Sequence, residues 1–89
     1  MIWTIKFSTN TEKYYKKLDK KLKQRIKNHL KEISTYDNPL DYAQVKPLTG
    51  ELRGFYRLRI GSYRIIFSLI YEDKVIAVVN IVPRGSAYK

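Results

Sequence analysis

Three arginines, Arg57, Arg59 and Arg64, stand in a stretch, residues 55–70, that contains no Asp or Glu. A guanidinium group keeps its charge at any physiological pH and offers a planar fork of donors. Several such groups at fixed spacing, with no acid to neutralise them, are suited to an anion, and to a phosphate above all. For a single arginine the plainer reading is a solvated sheet face, with charge alternating against apolar residues. Clustering without a carboxylate tips the reading towards function. Other chemistries are excluded early. The chain has no cysteine, so disulfides, thiolate zinc sites and thiol nucleophiles are all absent. The one histidine, His29, cannot build a metal centre that needs several nitrogen or sulfur ligands. At helical spacing from Arg25 and Glu32, His29 reads as a surface or boundary residue rather than a catalytic acid or base. No metal and no cofactor are expected.

The arginines depend on a hairpin for their positions. Residues 55–60 and 63–70 read as strands flanking Gly61-Ser62, a two-residue turn with glycine at its first central position. Such a turn sets the register, and the register sets the faces. Ile60 then pairs with Tyr63, Leu58 with Ile65 and Tyr56 with Phe67, forming an apolar face. Arg59 falls opposite Arg64, and Arg57 opposite Ile66, on the other face. If the next turn, at Glu72-Asp73, is equally tight, Phe55, Ile66, Val79 and Ile81 share the arginine face. Apolar residues beside a basic cluster suggest a partner that covers both, although a tail folding back from Pro83 would serve equally.

The remaining elements supply the support. Residues 2–7 alternate, with Trp3, Ile5 and Phe7 on one side of a strand. Thr9 and Glu12 have the spacing of a helix-capping box. Apolar residues recur helically at Tyr14, Tyr15, Leu18, Leu22, Ile26, Leu30 and Ile33, with a break expected near residues 18–21, where Asp19 caps a second helix. Asp37-Asn38-Pro39 ends the helical region. A short strand is expected around residues 45–47, and a last one over residues 74–82. The order gives an α+β fold: an N-terminal strand, a helical hairpin, then a three-stranded antiparallel meander, with the helices packed on one face of the sheet. Eighty-nine residues make one domain, 1–89. With 18 Lys+Arg against 8 Asp+Glu, the formal charge is +10. That balance suits solubility or a polyanionic partner, and the helix lysines read as a steering surface. No span long enough for a bilayer and no leader are visible, so a cytoplasmic protein without membrane contact is expected.

The pattern Gly54-x-x-Arg57-x-Arg59-x-Gly61-x-Tyr63-Arg64, the preceding run from Lys46, and the ending Val82-Pro83-Arg84-Gly85-Ser86-Ala87-Tyr88 resemble the RelE family of toxin–antitoxin toxins, within the wider RelE/ParE superfamily. Arg84 and Tyr88 favour RelE over ParE. The resemblance covers essentially the whole chain. It implies a ribosome-dependent endoribonuclease that cuts mRNA in the A site and is silenced by an acidic, RelB-like antitoxin. By position, Arg57, Arg59, Arg64, Arg84 and Tyr88 match the family's catalytic residues, and Lys46 and Arg53 are expected to bind RNA. The antitoxin is expected on Phe55, Ile66, Val79 and Ile81. Some members carry lysine where this chain has Arg57 and Arg59, and arginine cannot replace lysine as a general base. Two other readings share the sheet: a ParE-like poison of DNA gyrase, and a basic module that only holds RNA.

Overall fold

A computed structural model describes residues 2–83 of the chain. It contains strand β1 (Thr4–Phe7), helices α1 (Thr9–Lys17) and α2 (Lys20–Ile33), and strands β2 (Val45–Pro47), β3 (Tyr56–Ile60), β4 (Tyr63–Ile70) and β5 (Val75–Pro83). Single 3-10 turns at Pro39–Asp41 and Gly50–Leu52 flank β2. The five strands form one sheet in the order β1-β5-β4-β3-β2. The expected meander is its centre, the short strand at 45–47 is one edge, and β1 joins β5 in parallel at the other.

Each helix starts on a side-chain cap. At α2 the Asp19 carboxylate accepts the Leu22 N–H at 2.8 Å, while Leu18 and Asp19 are both extended, which separates two helices at the expected break. At α1 the cap is Ser8, not Thr9. Ser8 donates its own N–H to Val78 O at 2.9 Å, so pairing with β5 holds it extended until the helix begins. Its hydroxyl meets both the Thr11 N–H and, at 2.6 Å, the Thr11 hydroxyl. The predicted box therefore closes one residue early, on Thr11 rather than Glu12.

Leu22, Ile26, Leu30 and Ile33 form the buried stripe of α2 and press on Leu58, Ile60, Ile65 and Phe67, with Trp3, Ile76 and Val78 completing the core. Burying one such side chain contributes about 1.5–3 kcal/mol. Tyr15 and Leu18 of α1 pack at the margin, and Tyr14 is exposed. Among the described residues no helix is long and apolar enough to cross a membrane.

One expectation about the sheet faces is corrected. From Ile70↔Val75 to Phe67↔Val78, β4 and β5 pair as the tight turn requires. Between Ile66 and Phe67 the register slips, and Val79 becomes an extra residue on β5, so Ile66 faces Asn80, Ile65 faces Ile81 and Arg64 faces Val82. A one-residue bulge turns every later side chain to the other face. Ile81 consequently joins the helix-covered core at 4% exposure, and Asn80 and Val82 take places on the arginine face. Ile66 stays on that face but is buried, and Phe55 is half-buried. Val79 is 40% exposed. The Asn80 side chain accepts the Ile81 N–H at 2.9 Å, satisfying a backbone donor beside the slip. Ile81→Ala is therefore expected to destabilise the protein by about 2–4 kcal/mol in urea unfolding. Val79→Ala should cost less than about 1 kcal/mol. Equal losses would be incompatible with this register.

Candidate functional site

The hairpin places its arginines as its turn demands. Gly61 has φ +57°, and no positive φ occurs at Ser62, the pattern of a turn that favours glycine first. The pairs are Ile60↔Tyr63, Arg59↔Arg64, Leu58↔Ile65, Arg57↔Ile66 and Tyr56↔Phe67. Arg59 sends its N–H away from β4, to Gln44 O at 3.1 Å. Arg59 and Arg64 therefore form the closer kind of antiparallel pair, with Cα atoms about 4.5 Å apart. Like charges directly opposite cost about 0.2–1 kcal/mol. Leu58 and Ile65, next along the same strands, are fully buried and more than offset that repulsion.

The adjacent strand widens the cluster. Lys46 of β2 pairs with Arg57, so one row across the sheet runs Lys46, Arg57, Ile66, Asn80, and the next runs Arg59, Arg64, Val82. Arg59 and Lys46 are exposed, and Arg57 and Arg64 half-buried. Among the described residues neither Arg57 nor Arg59 meets a carboxylate within ion-pair distance. Arg53 lies outside these rows, exposed, in the connection before β3. Arg84 and Tyr88 lie outside the described residues. At the hairpin tip, Arg59, Gly61, Ser62, Tyr63 and Arg64 line a polar cavity of about 140 Å³.

Asn80 was missed in the sequence reading, though its signal was present. An asparagine inside an otherwise apolar strand is depleted there and marks a local irregularity. A second, larger hollow of about 500 Å³ lies at α1, α2 and β1. Ile5, Phe7, Tyr15 and Leu30 make it apolar, and exposed Glu12, Lys16, Lys27 and Lys31 border it. It belongs to the helix-covered side, so the arginine face, where fixed donors converge, is the better place for chemistry on an anion.

His29 is engaged elsewhere. Its Nδ1 lies 2.9 Å from the Tyr42 hydroxyl, which donates to Glu32 Oε1 at 2.8 Å. Tyr42 has one proton to give, so His29 Nδ1–H is the donor to Tyr42. The chain of three fastens the connection before β2 onto α2. Burial of Tyr42, then its hydrogen bond to Glu32 and the charges of Glu32 and Tyr36, push the phenol up to about 12.

The family of ParE toxins of type II toxin–antitoxin systems, parDE, matches residues 1–88. RelE1 of Methanocaldococcus jannaschii is 29% identical over 66 residues, 74% of this chain and 72% of that protein. The RelE–RelB complex of Pyrococcus horikoshii OT3 contains a chain 32% identical, with TM-score 0.77, covering 98% of this chain and 100% of that one. In the RelBE2 toxin–antitoxin complex of Mycobacterium tuberculosis the values are 25% and 0.67, over 94% and 100%. The chain belongs to the RelE/ParE superfamily, and within it to the RelE-like toxins of type II toxin–antitoxin systems.

The Tyr42 arrangement has a pH signature. Between its ordinary pKa, near 10, and about 12, the unfolded chain loses the phenol proton while the folded chain keeps it. Stability from this group is thus full below pH 10 and lost as pH rises towards 12. Tyr42→Phe should flatten that part of the alkaline limb in denaturant titrations, and at pH 7 cost about 1 kcal/mol for the lost hydrogen bonds. An unchanged alkaline slope would refute the assignment.

Proposed function

We propose that this toxin is a metal-independent endoribonuclease that cleaves ribosome-bound mRNA in the A site and so inhibits translation. The observation that carries the reading is the Arg59–Arg64 pair, set beside Arg57 and Lys46 on one face of the sheet. RNA brings its own nucleophile. The 2′-oxygen attacks the adjacent phosphorus, the bond to the 5′-oxygen breaks, and a 2′,3′-cyclic phosphate remains. One proton leaves the 2′-hydroxyl and one reaches the 5′-oxygen. The protein must align this attack and bear the extra negative charge of the transition state, a task for fixed guanidinium donors. Arg59 and Arg64 are assigned to the scissile phosphate, Arg57 and Arg84 flank it, and Lys46 and Arg53 hold neighbouring RNA.

Tyr88, matched by position to the family's site, is assigned as the base on the 2′-hydroxyl, since a phenol brought among several cations would favour its phenolate. A site of arginines with so weak a base is poor on free RNA and gains most from a substrate already bent by the ribosome. A ribosome-bound substrate implies a cytoplasmic protein, whose lysine-rich helices would steer it towards RNA. The partner that silences it is an acidic antitoxin, as the neighbours' assembly with RelB supports. It is assigned to the arginine face, with apolar contact at half-buried Phe55 and exposed Val79.

The match to ParE toxins favours a second reading, a poison of DNA gyrase without nuclease activity. Mapping mRNA 5′ ends after induction separates the two. Arg59→Ala and Arg64→Ala are each expected to lower cleavage by about 10²–10³ while leaving ribosome binding largely intact. Stalled replication with intact message would instead support the gyrase reading. Tyr88→Phe is expected to slow cleavage and remove the alkaline-side rise of the rate. Cleavage with an unchanged pH profile would eliminate the base role.

A further inference from the structure

A fourth arginine reaches the same hairpin from the other side. Arg25 projects from α2, and its guanidinium lies against Gly61. A Cβ built at Gly61 would stand 3.0 Å from Nη2 and 3.1 Å from Nη1. Glycine at this position therefore serves two purposes: it adopts φ +57°, and it leaves room for a cation to lie on the turn. Arg25 is exposed, and among the described residues no carboxylate pairs with it. On the other side of the turn lies the 140 Å³ cavity with Arg59 and Arg64 in its lining. Arg25, Arg59 and Arg64 thus surround one two-residue reversal. Gathering like charge around a turn is unfavourable until a polyanion arrives.

We infer that the Gly61-Ser62 tip is a second phosphate subsite, in which Arg25 holds an RNA phosphodiester next to the one engaged by Arg59 and Arg64. This rests on the endoribonuclease reading for its ligand class. The backbone crosses the hairpin tip, one phosphate at the polar cavity and a neighbour on the guanidinium of α2. Arg25 touches no reacting atom, so its contribution is to binding and register. The exposed Arg25 can be replaced without disturbing the core, and Arg25→Lys keeps the charge while removing the planar fork.

The phosphodiester can belong to the message or to ribosomal RNA, and two measurements distinguish them. Wild type, Arg25→Ala and Arg25→Lys are titrated with a 2′-O-methyl oligoribonucleotide, which cannot be cleaved, and separately with message-free ribosomes, each over a range of salt. Loss of one contact in the first titration should lower the salt slope by about 0.7 and weaken binding about three- to fivefold, with Arg25→Lys restoring most of the slope. That result assigns the site to message, and the same pattern only with empty ribosomes assigns it to ribosomal RNA. In cleavage assays Arg25→Ala should raise KM and leave kcat nearly unchanged. If wild type cleaves ribosome-bound mRNA but Arg25→Ala matches it in both slopes and in KM, the subsite is refuted while the nuclease reading stands. If wild type binds RNA with an Arg25-dependent slope yet never cleaves, the nuclease reading fails and the phosphate subsite survives.

Discussion

Two arginines, Arg59 and Arg64, stand opposite one another across β3 and β4, in the register that a two-residue turn sets. The geometry of the anion-binding face follows from that constraint. Repulsion between Arg59 and Arg64 is a fraction of the energy gained by burying Leu58, Ile60, Ile65 and Phe67 on the reverse side of the same two strands. The strands cannot separate or slide to relax the charges without exposing the core residues. The core thus acts as a clamp, and its surplus stability is stored at the surface as a preorganised, electropositive row. What the sheet preorganises is the spacing of the backbone positions that carry these cations, while exposed Arg59 and Lys46 still have long side chains to order when the anion binds.

The bulge at Val79 governs the other half of that face. Without it, Ile81 would stand opposite Arg64 and Val79 opposite Ile66, leaving a hydrocarbon floor beside the arginines. With it, Asn80 lines up with Arg57 and Lys46, and Ile81 is withdrawn into the core. The exchange makes the face more polar and removes a large apolar side chain from solvent, two changes of the same sign for a site that meets a charged backbone. The extra residue also sits beside the point where α1 begins, since Ser8 donates to Val78 O next to the bulge.

The helices contribute beyond covering the sheet. The His29–Tyr42–Glu32 chain uses one titratable cluster for fastening, and Arg25 extends the charge of α2 to the hairpin tip. One helix thus buries an apolar stripe, anchors the connection that leads to β2, and supplies a cation to the site. Gly61 joins these roles, because a residue without a side chain suits the positive φ of the reversal and leaves Arg25 undisplaced.

Local patterns settled much of this protein before any tertiary information. Alternation marked the strands, helical spacing marked the stripe of α2, and Asp19 marked its start. The two-residue turn at Gly61-Ser62 was enough to oppose Arg59 and Arg64, because a short loop leaves the register no freedom. What the tertiary structure alone decided were matters involving residues distant along the chain. Pairing of Ser8 with β5 moved the cap of α1, since a backbone N–H bonded to another strand cannot be known from its neighbours in sequence. The slip at Val79 exchanged Ile81 for Asn80, because a bulge is a property of two strands together and Asn80 alone could only hint at it. The parallel union of β1 with β5, the seat of His29 against Tyr42 and the approach of Arg25 to Gly61 belong to the same kind. Each depends on which surfaces meet when the core closes, and that is set by packing over the whole molecule rather than by any local run of residues.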